Sequence, residues 1–257
     1  ESRQAAMPVA FGRAARQMRI HRAAALAYAD EMIATRRRGA PRGDLLDALL
    51  AARPKGRALS SGELSDHVVG LFGAGNETTA AALGWAVVHG AAHPGAWAAL
   101  RDDPSTAAEF ATETLRLNPP AWGIPRGPAG ARSVPVTVGD LRVRVRPYQM
   151  VDVNVYGMNR DEAVWPDAAT FDPTRHRQPS KQQERALIPF GLGLRGCIGQ
   201  HIALSELHAA LPALARHGDV EIDGAARAHP TFTLKVRGGL RGRFRIPQPK
   251  PRAAAVG

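Results

Sequence analysis

At 257 residues, 44% hydrophobic and 22% charged, the chain is long enough to bury a core of its own. Its single cysteine excludes an intrachain disulfide, a four-cysteine zinc site and an iron–sulfur cluster within one chain, and leaves room for a single-thiolate centre. The net charge of +11 is scattered along the sequence apart from Arg36-Arg37-Arg38. With 5% aromatic residues and no zinc-finger spacing, it reads as a solvated basic surface and not as a nucleic-acid site.

In chain order, residues Val9 to Arg38 are rich in Ala, Arg and Met without an internal proline, which predicts a helix stopped by Gly39-Ala40-Pro41. A second helix is expected from Asp44 to about Arg53, before Pro54. Ser60 and Glu63 stand at capping-box spacing and predict the start of a long apolar helix over Leu64 to His93, ended by Pro94. Two more follow, Gly95 to Asp102 and Thr106 to Leu117, the latter halted by Pro119-Pro120. Val134 to Val155 alternates Val with polar residues around Gly139-Asp140, the pattern of β-hairpins. Asn159 to Arg185 reads as irregular. Gly199 to Arg216 returns to helix, with Leu204, Leu207, Leu211 and Leu214 at helical spacing and a kink expected at Pro212. Thr231 to Ile246 again alternates like strands. The fold class is mainly α with small β-sheets. Without repeats or a recognisable linker, a single domain is expected over 1–257, helical over 1–118 and mixed over 119–257. No apolar run suits a bilayer and no secretory leader is visible, so a cytoplasmic, membrane-free setting is expected, in keeping with the lone cysteine.

The most informative stretch is Phe190-Gly191-Leu192-Gly193-Leu194-Arg195-Gly196-Cys197-Ile198-Gly199. Gly191 and Gly193 permit backbone turns that a side chain blocks, and Gly199 allows a close approach after the cysteine. A helix starting at or just past Cys197 would aim free N–H groups at the sulfur and stabilise a thiolate. Arg195 adds a cation that can also bind a carboxylate.

This string resembles the haem-ligand signature of the cytochrome P-450 superfamily, the haem-thiolate monooxygenases. The resemblance implies that Cys197 ligates the iron of haem b. An anionic sulfur there pushes electron density into the iron and favours O–O cleavage. It further implies that Arg195 pairs with a haem propionate, that Phe190 packs near the sulfur, and that Gly191, Ile198 and Gly199 border the cofactor. Arg126, past the Pro119-Pro120 pair, falls where the family has another propionate-binding arginine. Glu113-Thr114-Leu115-Arg116 matches the family's Glu-x-x-Arg pair. Phe171-Asp172-Pro173-Thr174-Arg175 matches the loop that supplies a third member, Arg175, to a structural ion network. Asn159-Arg160-Asp161 and Trp165-Pro166-Asp167 resemble the segment before that loop, with a role in fold.

Ala74-Gly75-Asn76-Glu77-Thr78-Thr79 resembles the family's oxygen-binding helix. Glycine inside a helix costs up to about 1 kcal/mol against Ala. A Thr78 hydroxyl bonded back to the carbonyl of Ala74 would open and bend the turn. Small residues at Ala74 and Gly75 leave room over the iron, and Thr78 with Glu77 suits proton delivery to reduced dioxygen. By resemblance the pocket is apolar, from Leu71, Ala74, Trp122, Ile124 and Leu240.

His89 and His93, four apart, read as structural, as does the solvated helix end at Arg36 to Arg38. No dinucleotide fingerprint is present, so electrons from NAD(P)H are expected through a ferredoxin or flavodoxin and its reductase. The family's N-terminal helices and sheet have no counterpart here, and the first residue is Glu1, so the chain reads as a C-terminal portion. Two other classes stay open: a non-catalytic haem-binding or haem-free remnant, and a basic nucleic-acid-binding module.

Overall fold

A polar side chain ahead of an apolar run starts a helix, because it accepts from backbone N–H groups that have no helical partner. The computed structural model, which describes residues 13–128 and 130–246, shows this at several helix starts. Helix α1 spans Arg13–Arg38; the expected start at Val9 lies outside the described residues. Asp44 caps α2, Leu45–Ala51, accepting from Leu46 N and Asp47 N. The Ser60–Glu63 box forms in both directions, at 3.2 and 2.8 Å, and opens α3, Ser61–Ala92. Helices α4, Pro94–Asp102, and α5, Ala107–Leu117, follow.

The chain divides into two compact units, Glu1–Asn76 and Glu77–Gly257, with the boundary inside α3. In the first, Ala29 and Ile33 of α1 meet Leu64 and Val68 of α3, each pair one helical turn apart. Arg36 belongs to this unit's framework and not to a solvated helix end. Its guanidinium bonds Asp44 at 2.5 and 2.7 Å and Asp47 at 2.8 Å, while Arg37 and Arg38 are exposed. The reason is local: the turn after α1 brings the α2 cap back against its last helical residues.

In the second unit, α4 and α5 both pack on α8, Gln200–Arg216. Leu207, Leu211 and Ala215 supply its buried stripe, with Leu204 and Leu214 partly buried beside it, and α8 runs through a buried Pro212. Trp97 is fully buried, and its ring lies where a Cβ on Gly90 would stand 2.3 Å from Cε3. Only glycine lets that indole lie against α3.

Among the described residues the sheets are four antiparallel pairs. Strands β2, Val134–Val138, and β3, Leu141–Val145, form the expected hairpin around Gly139-Asp140. Strand β4, Val151–Val153, instead pairs with β1, Ile124–Arg126, and Val155 begins a short helix α6, Val155–Met158. The segment expected to be irregular holds helix α7, Lys181–Ala186, opened by a Ser180–Gln183 capping box. Toward the C-terminus, β5, Asp219–Ile222, pairs with β8, Gly242–Arg245, and β6, Ala228–Pro230, pairs with β7, Leu234–Val236. Residues 231–233, expected as strand, form the tip of the β6–β7 hairpin.

Candidate functional site

The loop ahead of α8 is shaped by its glycines. Gly191 and Gly193 hold φ of 68° and 66°, values that side chains disfavour. The turn is tied by Gly191 N to Ile188 O at 3.0 Å, by Gly196 N to Gly193 O at 2.9 Å, and by Cys197 N to Phe190 O at 2.8 Å. The last bond fixes the cysteine backbone, and Phe190 packs into the core of the second unit. Helix α8 opens three residues past the cysteine, with Gly199 at its cap position.

Cys197 is exposed, and so are Leu192, Leu194 and Ile198 around it, Leu194 and Ile198 almost completely. Apolar side chains bared together next to a thiol are poorly placed for water and well placed for a flat apolar partner. Strand β1 borders this loop, since a Cβ on Gly191 would lie 3.9 Å from Ile124 Cδ1. Arg126 stands two residues along the same strand. It is exposed, and among the described residues its guanidinium donates only to the adjacent Pro125 carbonyl, at 3.0 Å. Arg195 is exposed too, and neither arginine makes an ion pair among the described residues. One sulfur donor, a bare apolar surround and two uncommitted guanidinium groups fit a haem: iron for the sulfur, an apolar ring, and carboxylates for the arginines.

Glu113, Arg116 and Arg175 come together below α5. Glu113 and Arg116 are fully buried. Arg116 grips the carboxylate with Nε and Nη2, both at 2.8 Å, and donates Nη1 to the carbonyls of Asn159 and Ala168 at 2.6 and 2.8 Å and Nη2 to Thr170 O at 3.1 Å. Arg175 Nε reaches Glu113 at 3.0 Å, and Asp172 N donates at 2.9 Å. Asn159 Nδ2 returns a bond to Arg116 O, and the guanidinium carbon lies 5.3 Å from the Trp165 ring, so both segments that resembled the run-up to this loop are anchored on Arg116. Sequence reasoning missed a further member, His176, whose Nε2 lies 2.7 Å from Glu113 Oε2. The signal was its place beside Arg175 in the 3-10 turn Pro173–His176. Burial pushes the Glu113 carboxyl up, but the bonds from Arg116, His176 and Asp172 pull it down further, to about 2.

Of the remaining expected residues, Leu71, Ala74 and Gly75 lie in the first unit, and Glu77 and Thr78 begin the second; α3 is continuous across all of them. The Glu77 carboxylate is engaged. Its Oε1 accepts from Thr233 Oγ1 at 3.0 Å and from Lys235 Nζ at 2.9 Å. No sequence signal pointed to these partners, which stand 156 and 158 positions away. Trp122 donates its Nε1 to Thr231 O at 3.0 Å, and Leu240 Cδ1 approaches α3 at Gly84. His89 stacks on Phe171 with centroids 4.3 Å apart and bonds Asn118 at 2.8 Å, a packing role. Burial pushes its imidazole down to about 4.

The family profile "Cytochrome P450" matches residues 5–240. Cyclooctat-9-en-7-ol 5-monooxygenase of Streptomyces melanosporofaciens is 35% identical over 72% of this chain and 44% of its own length. Cytochrome P450 4F5 of Rattus norvegicus is 30% identical over 77% of this chain and 41% of its own. Among solved structures, CalO2 matches with a TM-score of 0.77 at 28% identity, over 93% of this chain and 57% of that one. Cytochrome P450 CYP109Q5 from Chondromyces apiculatus matches at 0.73 and 32%, over 90% and 56%. The chain thus spans less than half the length of these two curated relatives. It belongs to the cytochrome P450 family, and its fold is that of the family over the part it covers.

Proposed function

With membership of the cytochrome P450 family as premise, we propose that the chain is the haem-carrying part of a monooxygenase that puts one atom of dioxygen into an apolar organic substrate and releases the other as water. The observation that carries this is the tied loop that leaves Cys197 exposed among bare apolar side chains. Haem, when bound, supplies the redox chemistry of dioxygen reduction, and a thiolate ligand favours O–O cleavage.

The residues divide the remaining work. Cys197 holds the iron. Arg195 and Arg126 hold the propionates, while Phe190, Gly191, Ile198 and Gly199 border the ring. Glu77 and Thr78 move protons toward the reacting oxygen. Trp122, Ile124 and Leu240 face the substrate and exclude water. Glu113, Arg116 and Arg175, with His176, keep the segment before the cysteine loop in shape. Electrons from NAD(P)H arrive through a ferredoxin or flavodoxin and its reductase, and the basic surface suits an acidic partner of that kind. The setting is cytoplasmic. Neither a nucleic acid nor a membrane is a partner in this reading.

The test is a carbon monoxide difference spectrum of the reduced, haem-reconstituted chain. A thiolate-type Soret band that Cys197→Ala removes is the expected result. No haem uptake, or a spectrum indifferent to Cys197→Ala, would mark a haem-free or non-catalytic remnant and overturn the assignment.

A further inference from the structure

Helices α5 and α7 leave a cavity of about 210 Å³ between them, within the second unit. Ala108, Glu109 and Thr112 line it from α5, and Glu184 lines it from α7. Its most deeply buried walls are two rings, Trp165 and His176. The indole is fully buried, and the imidazole side chain keeps 6% of its surface in water.

Both rings carry hydrogen-bonding capacity that the described residues leave unmet. The Trp165 Nε1–H has no acceptor among them, whereas a buried indole N–H ordinarily has one. The residue is held in place: its backbone N donates to Asp161 O at 2.8 Å, and the Arg116 guanidinium carbon lies 5.3 Å from its ring centroid. On His176, Nε2 lies 2.7 Å from Glu113 Oε2. Glu113 is ionised, so Nε2 carries the proton and donates it. Nδ1 makes no hydrogen bond among the described residues, and in the neutral ring it is an acceptor. The two ring centroids are 6.0 Å apart, so one small group in the cavity lies within reach of both.

A donor beside an acceptor is the complement of a hydroxyl, which accepts and donates through one oxygen. Toward solvent the lining is acidic. Glu109 shares its two oxygens with Arg177 Nε, at 3.2 and 3.1 Å. Glu184 is exposed and forms no ion pair among the described residues, which suits a protonated amine. We propose that this cavity binds a small hydroxylated amine, with the hydroxyl between Trp165 and His176 and the ammonium on Glu184. The cavity shares no residue with the haem site, so the proposal stands whether or not the chain carries haem. Because His176 also bonds Glu113, an occupant is joined through one ring to the network that shapes the segment before the cysteine loop.

The test follows the sequentially assigned Trp165 indole N–H signal in the full chain labelled with nitrogen-15. The probe is aminopropanol with its two groups at opposite ends. It is compared with propanol, which lacks the amine, and propylamine, which lacks the hydroxyl. Aminopropanol is expected to shift the signal saturably, with each truncated compound about tenfold weaker. Ala108→Leu, which fills the cavity from an exposed helix position, is expected to abolish the shift. Glu184→Gln, also at an exposed position, is expected to weaken aminopropanol to the level of propanol and to leave propanol unchanged. No saturable shift with aminopropanol means that the cavity takes water only and overturns the proposal. Equal midpoints for the three compounds, or an aminopropanol midpoint unmoved in Glu184→Gln, overturn it too.

Discussion

Arg116→Met is the most informative single change to the framework behind the cysteine loop. Methionine keeps much of the stem but removes five hydrogen bonds, two to Glu113 and one each to the carbonyls of Asn159, Ala168 and Thr170. Thr170 O keeps a second donor in Arg175 Nη2 at 3.3 Å, so the carbonyls of Asn159 and Ala168 are the ones stranded. Each stranded buried acceptor costs about 1–3 kcal/mol. Glu113 keeps Arg175, His176 and Asp172 N but loses its bidentate partner, and breaking a buried pair costs about 3–5 kcal/mol. These figures overlap, so the expected total is at least about 3–5 kcal/mol. For a chain of this size that lowers the melting temperature by roughly 6–20 °C. Arg175→Met gives the internal comparison. Its side chain touches water, Glu113 keeps the Arg116 fork, and the freed Pro166 carbonyl can find solvent; about 1 kcal/mol is expected. Urea denaturation of both variants, followed by circular dichroism, measures the difference. Equal losses would refute the idea that the buried fork on Arg116 carries this network.

Acid should act on two buried groups in turn. His89 is held neutral, so its contribution is complete above its ordinary value near 6.5 and is lost as pH falls toward about 4; Glu113 is held ionised, so its contribution is complete above 4.5 and is lost as pH falls toward about 2. Stability measured against pH should therefore fall in two stages, with His89→Asn removing the first; a single stage below pH 4 would contradict the burial of His89. Gly90→Ala should destabilise by about 1–3 kcal/mol through overpacking on Trp97, less up to about 1 kcal/mol returned by helix propensity. A more stable Gly90→Ala protein in the same denaturation assay would show that Trp97 does not lie against that glycine.

The helices were legible because their signals are local. The Ser60–Glu63 box, the Pro94 stop and the leucine spacing of α8 each lie within one or two turns, and each element formed within a few residues of its expected bounds. The strands were legible only as alternation. That Val151–Val153 pairs with Ile124–Arg126, and Asp219–Ile222 with Gly242–Arg245, depends on closures between segments far apart in sequence, which alternation does not encode. Helix α7 was missed because its Ser180–Gln183 box is followed by Lys181, Gln182, Glu184 and Arg185, with no apolar stripe to mark a buried face.

The site divides along the same line. Cys197, its glycines and Arg195 are contiguous, and Glu113 and Arg116 share one helix face, so their spacing alone carried information. His176 and Lys235 were not legible, because each acts through a partner brought near by tertiary closure. Their effects differ for a physical reason. His176 meets a carboxylate already bound by two arginines in a dry site, so it adds to a framework that works as a unit. Lys235 meets Glu77 where water still reaches both, so this ion pair adds little to stability.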